Sequence, residues 1–93
     1  MDDIIRVLIL KDGRTLVTKI QEVGGVEIGE PDCVMIDPAI YDSSAEDLSK
    51  ALSRFPGKAI TTDTKMAISS DNILTMVTPE NKLLSEYLVV IGD

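Results

Sequence analysis

The sequence predicts a small, mainly β domain with a short helical insert and a C-terminal helix. Three observations predict it. Short runs of β-branched and aliphatic residues recur along the chain. An Asp-Gly turn joins the first two runs. Two later stretches switch to helical spacing.

Ile4–Leu10 reads IIRVLIL and is apolar on both faces, as a buried strand is. Lys11-Asp12-Gly13-Arg14 follows, and Asp-Gly tolerates the positive φ angles of a tight hairpin. Over residues 14–23 the pattern alternates. Leu16, Thr18 and Ile20 face one way, while Thr15, Val17, Lys19 and Gln21 face the other, which suits a half-exposed second strand. Gly24-Gly25 then interrupts, either as a turn or as a sharp bend in a strand curling around a small barrel. Residues 26–28 continue the strand beyond that bend, and Gly29-Glu30-Pro31-Asp32 makes the next turn. Residues 33–36 form a short apolar strand that Asp37-Pro38 ends or distorts.

Residues 41–57 differ. Ser43 or Ser44 can cap a helix whose single face carries Leu48, Ala51, Leu52 and Phe55, with Pro56-Gly57 as its stop. A loop insert is the plainer alternative. Residues 59–62 and 65–69 read as extended. Ser70-Asp71-Asn72 is a turn before the strand Ile73–Val77. Thr78-Pro79-Glu80 then opens a helix expected over about residues 79–88. Thr78 is its N-cap, Pro79 its first residue, and Glu80 sits at the positive end of its dipole. Leu83, Leu84, Tyr87 and Leu88 make the apolar stripe, and residues 89–91 extend the helix or add an edge strand.

A chain of 93 residues fits a single domain whose core is marginal unless something supplements it. The usual supplements are disulfides, metals and oligomerisation. The single cysteine, Cys33, excludes an intrachain disulfide, and without histidine it makes no zinc site, so no metal or cofactor is expected. Oligomerisation remains, and the 44% hydrophobic content supplies apolar surface for it. The net charge of −7 disfavours non-specific phosphate binding, so double-stranded DNA is not an expected partner. The nine Lys and Arg can still cluster locally. The acidic Met1-Asp2-Asp3 start is unlike a signal peptide, and no apolar run approaches the ~20 residues that span a bilayer. A cytoplasmic protein with no membrane partner is expected.

Two separated motifs carry a family resemblance. Val7, Ile9, Leu10, Lys11, Asp12, Gly13, Arg14, Leu16 and Ile20 fall on a strand, Lys-Asp-Gly-Arg turn and alternating strand. Ile68-Ser69-Ser70-Asp71-Asn72-Ile73 and the run to Thr78-Pro79 keep the length of a second motif without a gap. The chain thereby resembles the Sm-like small β-barrel family (the LSm/Hfq superfamily), and looks most like short phage-encoded members in which a helix follows the final proline. The resemblance covers roughly residues 4–20 and 65–79. It implies a strongly bent five-stranded SH3-like barrel that assembles as a homo-oligomeric ring. By that resemblance Lys65, Met66, Ala67 and Ile68 of one subunit lie along Ile73, Leu74, Thr75, Met76 and Val77 of the next. Single-stranded RNA would meet Lys11, Arg14, Ser69, Ser70, Asp71 and Asn72. The chain departs from the family at several places. Residues 23–28 carry no aromatic and no Asn, Ser69-Ser70 stands where an Arg-Gly pair is usual, and Thr18 replaces a glycine of the second strand.

Catalytic signals are missing from the sequence. No histidine is present to act as general base near neutral pH. Asp12 and Asp71 read as turn residues, and neither a Gly-x-Ser-x-Gly elbow nor a phosphate loop is present. Cys33 beside Asp32 reads as an inert core thiol. Tyr41, Phe55 and Tyr87 read as packing residues. An enzyme is not expected. The expected function is a ring-forming RNA-binding or RNA-chaperone module; the alternative is an acidic oligomeric structural or protein-interaction module without RNA.

Overall fold

A computed structural model describes residues 4–23, 31–57 and 59–92. Its elements are β1 (Ile4–Leu10), β2 (Thr15–Glu22), β3 (Cys33–Tyr41), β4 (Leu52–Arg54), β5 (Lys65–Ile68), β6 (Ile73–Val77) and α1 (Asn81–Val90). The six strands form one antiparallel sheet in the order β4-β3-β2-β1-β6, with β5 also paired to β3. The mainly β expectation and the C-terminal helix hold.

The β1–β2 hairpin forms at Asp-Gly as expected, with Gly13 at φ 94°. Its two strands put alternate residues on opposite faces, and each face has its own core. Val7, Val17 and Ala39 join Leu52 of β4 beneath Tyr87 and Ile91 at the C-terminal end of the chain. Leu8, Leu10, Leu16 and Met35 form the second core on the other face, flanked by Phe55, Met66, Ile68 and Ile73. This two-sided burial is why β1 is apolar at every position but Arg6.

The sheet is strongly curled. β5 bonds β3 and β6 bonds β1, so four inter-strand steps separate β5 from β6, about 19 Å in a flat sheet. The link from Ile68 to Ile73 reaches at most about 18 Å even when straight, and most of it is a tight 3-10 turn over Ser70–Asn72. The two ends of the sheet are therefore bent towards each other. Hydrogen bonds mark the approach: Ser70 bonds Asp32 at the start of β3, and the Lys11 N–H at the end of β1 donates to the Asn72 carbonyl.

Several expectations need correction. Among the described residues the sheet has six strands rather than five. The expected helical insert over residues 41–57 is not a helix: it holds a 3-10 turn over Leu48–Lys50 and the added strand β4. Pairing with β3, Tyr41 to Leu52 and Ala39 to Arg54, outweighs the helical spacing. Of the two outcomes expected at Asp37-Pro38, the strand β3 is distorted there and not ended. Between the pairs Val17–Ala39 and Lys19–Ile36 it carries one more residue than β2, a bulge that accommodates the proline without a ladder N–H. Thr18 lies opposite this bulge, fully buried, its hydroxyl within bonding distance of the Ile36 carbonyl at 3.1 Å. Residues 59–62 are turn and coil rather than extended strand. Helix α1 starts two residues later than expected. Glu80, not Thr78, is the N-cap, its carboxylate accepting from the Lys82 N–H at 2.8 Å, and Pro79 is buried just before it. The Gly24-Gly25 bend and residues 26–30 lie outside the described residues.

Candidate functional site

The hairpin tip, the β5–β6 turn and the end of β4 meet at one end of the sheet. At the tip, Asp12 folds back on Arg14. Its carboxylate accepts from the Arg14 backbone N–H at 3.0 Å and from Nε at 2.8 Å, and the terminal guanidinium nitrogen lies 2.7 Å away. The Arg14 side chain, and then its backbone N–H, hold the Asp12 carboxyl below the ordinary carboxylate range. The guanidinium so fixed lies over the ring of Phe55, 5.3 Å from its centroid. Phe55 is held in turn by its own N–H, which donates to the Pro38 carbonyl beside the β3 bulge.

The β5–β6 turn is equally fixed. Ser69 accepts from the Asp71 N–H, and the Asn72 N–H donates to the Ser69 carbonyl at 3.0 Å. Ser70 donates its N–H and its hydroxyl to the two carboxylate oxygens of Asp32 at 2.7 and 2.6 Å. The Ser70 hydroxyl, then its N–H, keep the Asp32 carboxyl below its ordinary value.

Between tip and turn lies an open pocket of about 560 Å³. Lys11, Asp12, Arg14 and Asn72 form its polar rim, and Leu10, Leu16, Met35, Phe55, Ala67 and Ile68 its apolar wall. The structure thus brings Lys11, Arg14 and Asn72 together at one cavity. Ser69, Ser70 and Asp71 sit in the adjoining turn, where the first two are committed to holding its shape. Phe55 is the site residue the sequence concealed. Helical spacing assigned it to packing, and nothing local in the sequence links it to Arg14. A smaller pocket of about 300 Å³ lies behind Phe55, against the bulge, with Asp37, Arg54, Thr61, Thr62 and Thr64 among its lining residues.

The outer strands define a second feature. β5 pairs only with β3 and β6 only with β1 among the described residues, so each leaves one edge unbonded. Lys65 and Ala67 are exposed, with Met66 and Ile68 half-buried; Ile73 is half-buried, and Leu74, Thr75, Met76 and Val77 are exposed. Met76 pairs with Leu8 and shares its face, yet it is 44% exposed while Leu8 is fully buried. The second core is open to solvent at the β6 edge. Cys33, by contrast, is buried, and burial, reinforced by the charges of Asp32 and Glu22, pushes its thiol up. Among the described residues no helix is long and apolar enough to cross a membrane.

The fold and its end pocket define a small, mainly β protein with a C-terminal helix and, among the described residues, unbonded sheet edges on β4, β5 and β6. The chain belongs to the family of unknown function DUF6561, whose model matches residues 3–92. No curated protein matches it.

Proposed function

We propose that this chain is a ring-forming Sm-like subunit and that its ring is an RNA-binding or RNA-chaperone module. The observation that carries the reading is the pair of unbonded edges, β5 and β6, at the two ends of one curled sheet. With β4 set aside as an insert, the path β5-β3-β2-β1-β6 leaves an edge on either side of a single opening, as the family resemblance requires. An unpaired edge is a template for another strand. Two different edges on one subunit make a head-to-tail contact, which closes into a ring when the rotation fits. Pairing of β6 with β5 of the next subunit covers Met76 and completes the second core. It supplies the burial that a core of this size lacks.

RNA enters through the pocket beside that edge, where Lys11, Arg14 and Asn72 meet an aromatic ring. A second reading, a structural or protein-interaction ring without RNA, is favoured by the net charge of −7 and by the internal use of Ser69 and Ser70. Native mass spectrometry of the protein alone and with short U-rich and A-rich RNA separates the two. A defined oligomer that gains RNA supports the first reading. A defined oligomer that ignores RNA moves the function to protein partners, and a monomer removes the ring.

A further inference from the structure

Arg14 and Phe55 come from distant parts of the chain and meet as one wall of the larger pocket. Asp12 orients Arg14, engaging its guanidinium through Nε and a terminal nitrogen, in the plane of the group. In-plane bonding leaves both flat faces for stacking. The guanidinium carbon lies over Phe55, 5.3 Å from the ring centroid, and no other ring meets it among the described residues. Asp12 also offsets the charge of Arg14, so Arg14 serves as a flat platform rather than as an anchor for phosphate.

Two further groups complete the chemistry. Lys11 lines the same pocket, and its ammonium has no ion-pair partner among the described residues. The Asn72 backbone is fixed on both sides, its N–H donating to Ser69 and its carbonyl accepting from Lys11. Its side-chain amide makes no hydrogen bond among the described residues. An amide presents a donor and an acceptor side by side, the pairing that reads the edge of a nucleobase. A flat cationic face, an apolar wall, one amide and one unpaired cation suit a planar base carrying a phosphate.

We propose that this pocket holds a single nucleotide, its base stacked on the Arg14 guanidinium that Phe55 backs, its edge read by Asn72 and its phosphate met by Lys11. The proposal rests on the RNA reading above and assigns the side chains that carry it. Phe55 comes from the insert around β4, so that insert acts as a working part of the site.

The test is fluorescence anisotropy of labelled U and A hexamers with the full chain, its Arg14→Lys, Asn72→Ala, Phe55→Leu and Lys11→Ala variants, and mononucleotides as competitors. Lysine keeps the charge of Arg14 but has no flat face, so Arg14→Lys is expected to weaken binding about tenfold or more. Lys11→Ala is expected to lower the salt slope by about 0.7, the value for one phosphate contact on a single strand. Phe55 borders the second core, so Phe55→Leu can also disturb the fold; Arg14 and Asn72 are exposed and keep the test decisive. Displacement by a mononucleotide at comparable concentration identifies a free nucleotide as the occupant. Displacement only by oligomer identifies a strand, and either supports the pocket. Undiminished binding by both Arg14→Lys and Asn72→Ala overturns the pocket and leaves the RNA reading standing. Absence of any nucleotide binding by the wild-type chain overturns both, while the oligomer mass still judges the ring.

Discussion

Tyr87 donates its hydroxyl to the carbonyl oxygen of Asp37 at 2.7 Å, tying α1 to the residue where β3 leaves extended geometry. Asp37 sits at φ 52°, and its carboxylate lies 3.7 Å from Lys19 and 3.8 Å from Arg54. Arg54 also donates to the Ile91 carbonyl at 2.7 Å, at the C-terminal end of the helix. The bulge is thus where β3, the inserted strand β4 and the helix are held in one arrangement.

Removing the Tyr87 hydroxyl leaves a half-buried carbonyl short of a donor within an otherwise intact core. Tyr87→Phe is expected to cost about 1–2 kcal/mol, and Tyr87→Ala about 3–5 kcal/mol, because the ring is fully buried. Urea unfolding midpoints measure both. A Phe variant as stable as the wild type would show that the hydroxyl bond contributes nothing net.

Asp and Asn tolerate positive φ better than other side chains with a Cβ. Asp37→Asn is therefore expected to lose only the weak, part-exposed ion pairs. Asp37→Ala adds backbone strain of about 1–2 kcal/mol. Thermal melting of the pair checks the order; equal losses would place the whole effect in the charges.

The clamp from Asp32 to Ser70 makes stability depend on pH. The Asp32 carboxyl is held below its unfolded value of 3.8. Its contribution is thus fully present above that value and is lost as pH falls through the lower folded value. Asp12 and Asp42 are shifted in the same direction, by bonds to Arg14 and Ser44. The melting temperature of Asp32→Ala is expected to lie below that of the wild type at pH 6 and to converge on it as pH falls through the lowered folded value. A gap that stays constant with pH would show that the carboxylate charge is not what holds the turn.

Much of the sheet was legible in local pattern. Ile4–Leu10, the Asp-Gly hairpin, the Ser70–Asn72 turn and Ile73–Val77 each obey rules that need only neighbouring residues. The second strand was legible as a strand but not as half-exposed: Val17, on the face expected to meet solvent, is fully buried in the first core. The insert was not. Leu48, Ala51, Leu52 and Phe55 repeat at helical spacing, but Leu52 is drawn under α1 and Arg54 towards Asp37 and Ile91, contacts between residues far apart in sequence. The same limit hid the Arg14–Phe55 contact, and with it half of the candidate pocket. Pro38 read as ending or distorting its strand because its missing N–H forbids a regular ladder; which of the two occurs depends on β2, against which the bulge forms.

Met76 faces the second core from an edge that nothing covers among the described residues. Met76→Asp is expected to abolish assembly and to lower the melting temperature, since the uncovered core then lacks its supplement. A Met76→Asp chain with wild-type mass and melting temperature would exclude β6 from any interface.

The mass of the intact chain in solution, followed by sedimentation over a hundredfold dilution, tests the central claim most directly. A head-to-tail ring predicts one closed species whose mass is a fixed small multiple of the subunit and does not change with concentration. A monomer throughout, or a mass that keeps growing with concentration as an open chain of subunits would, contradicts it.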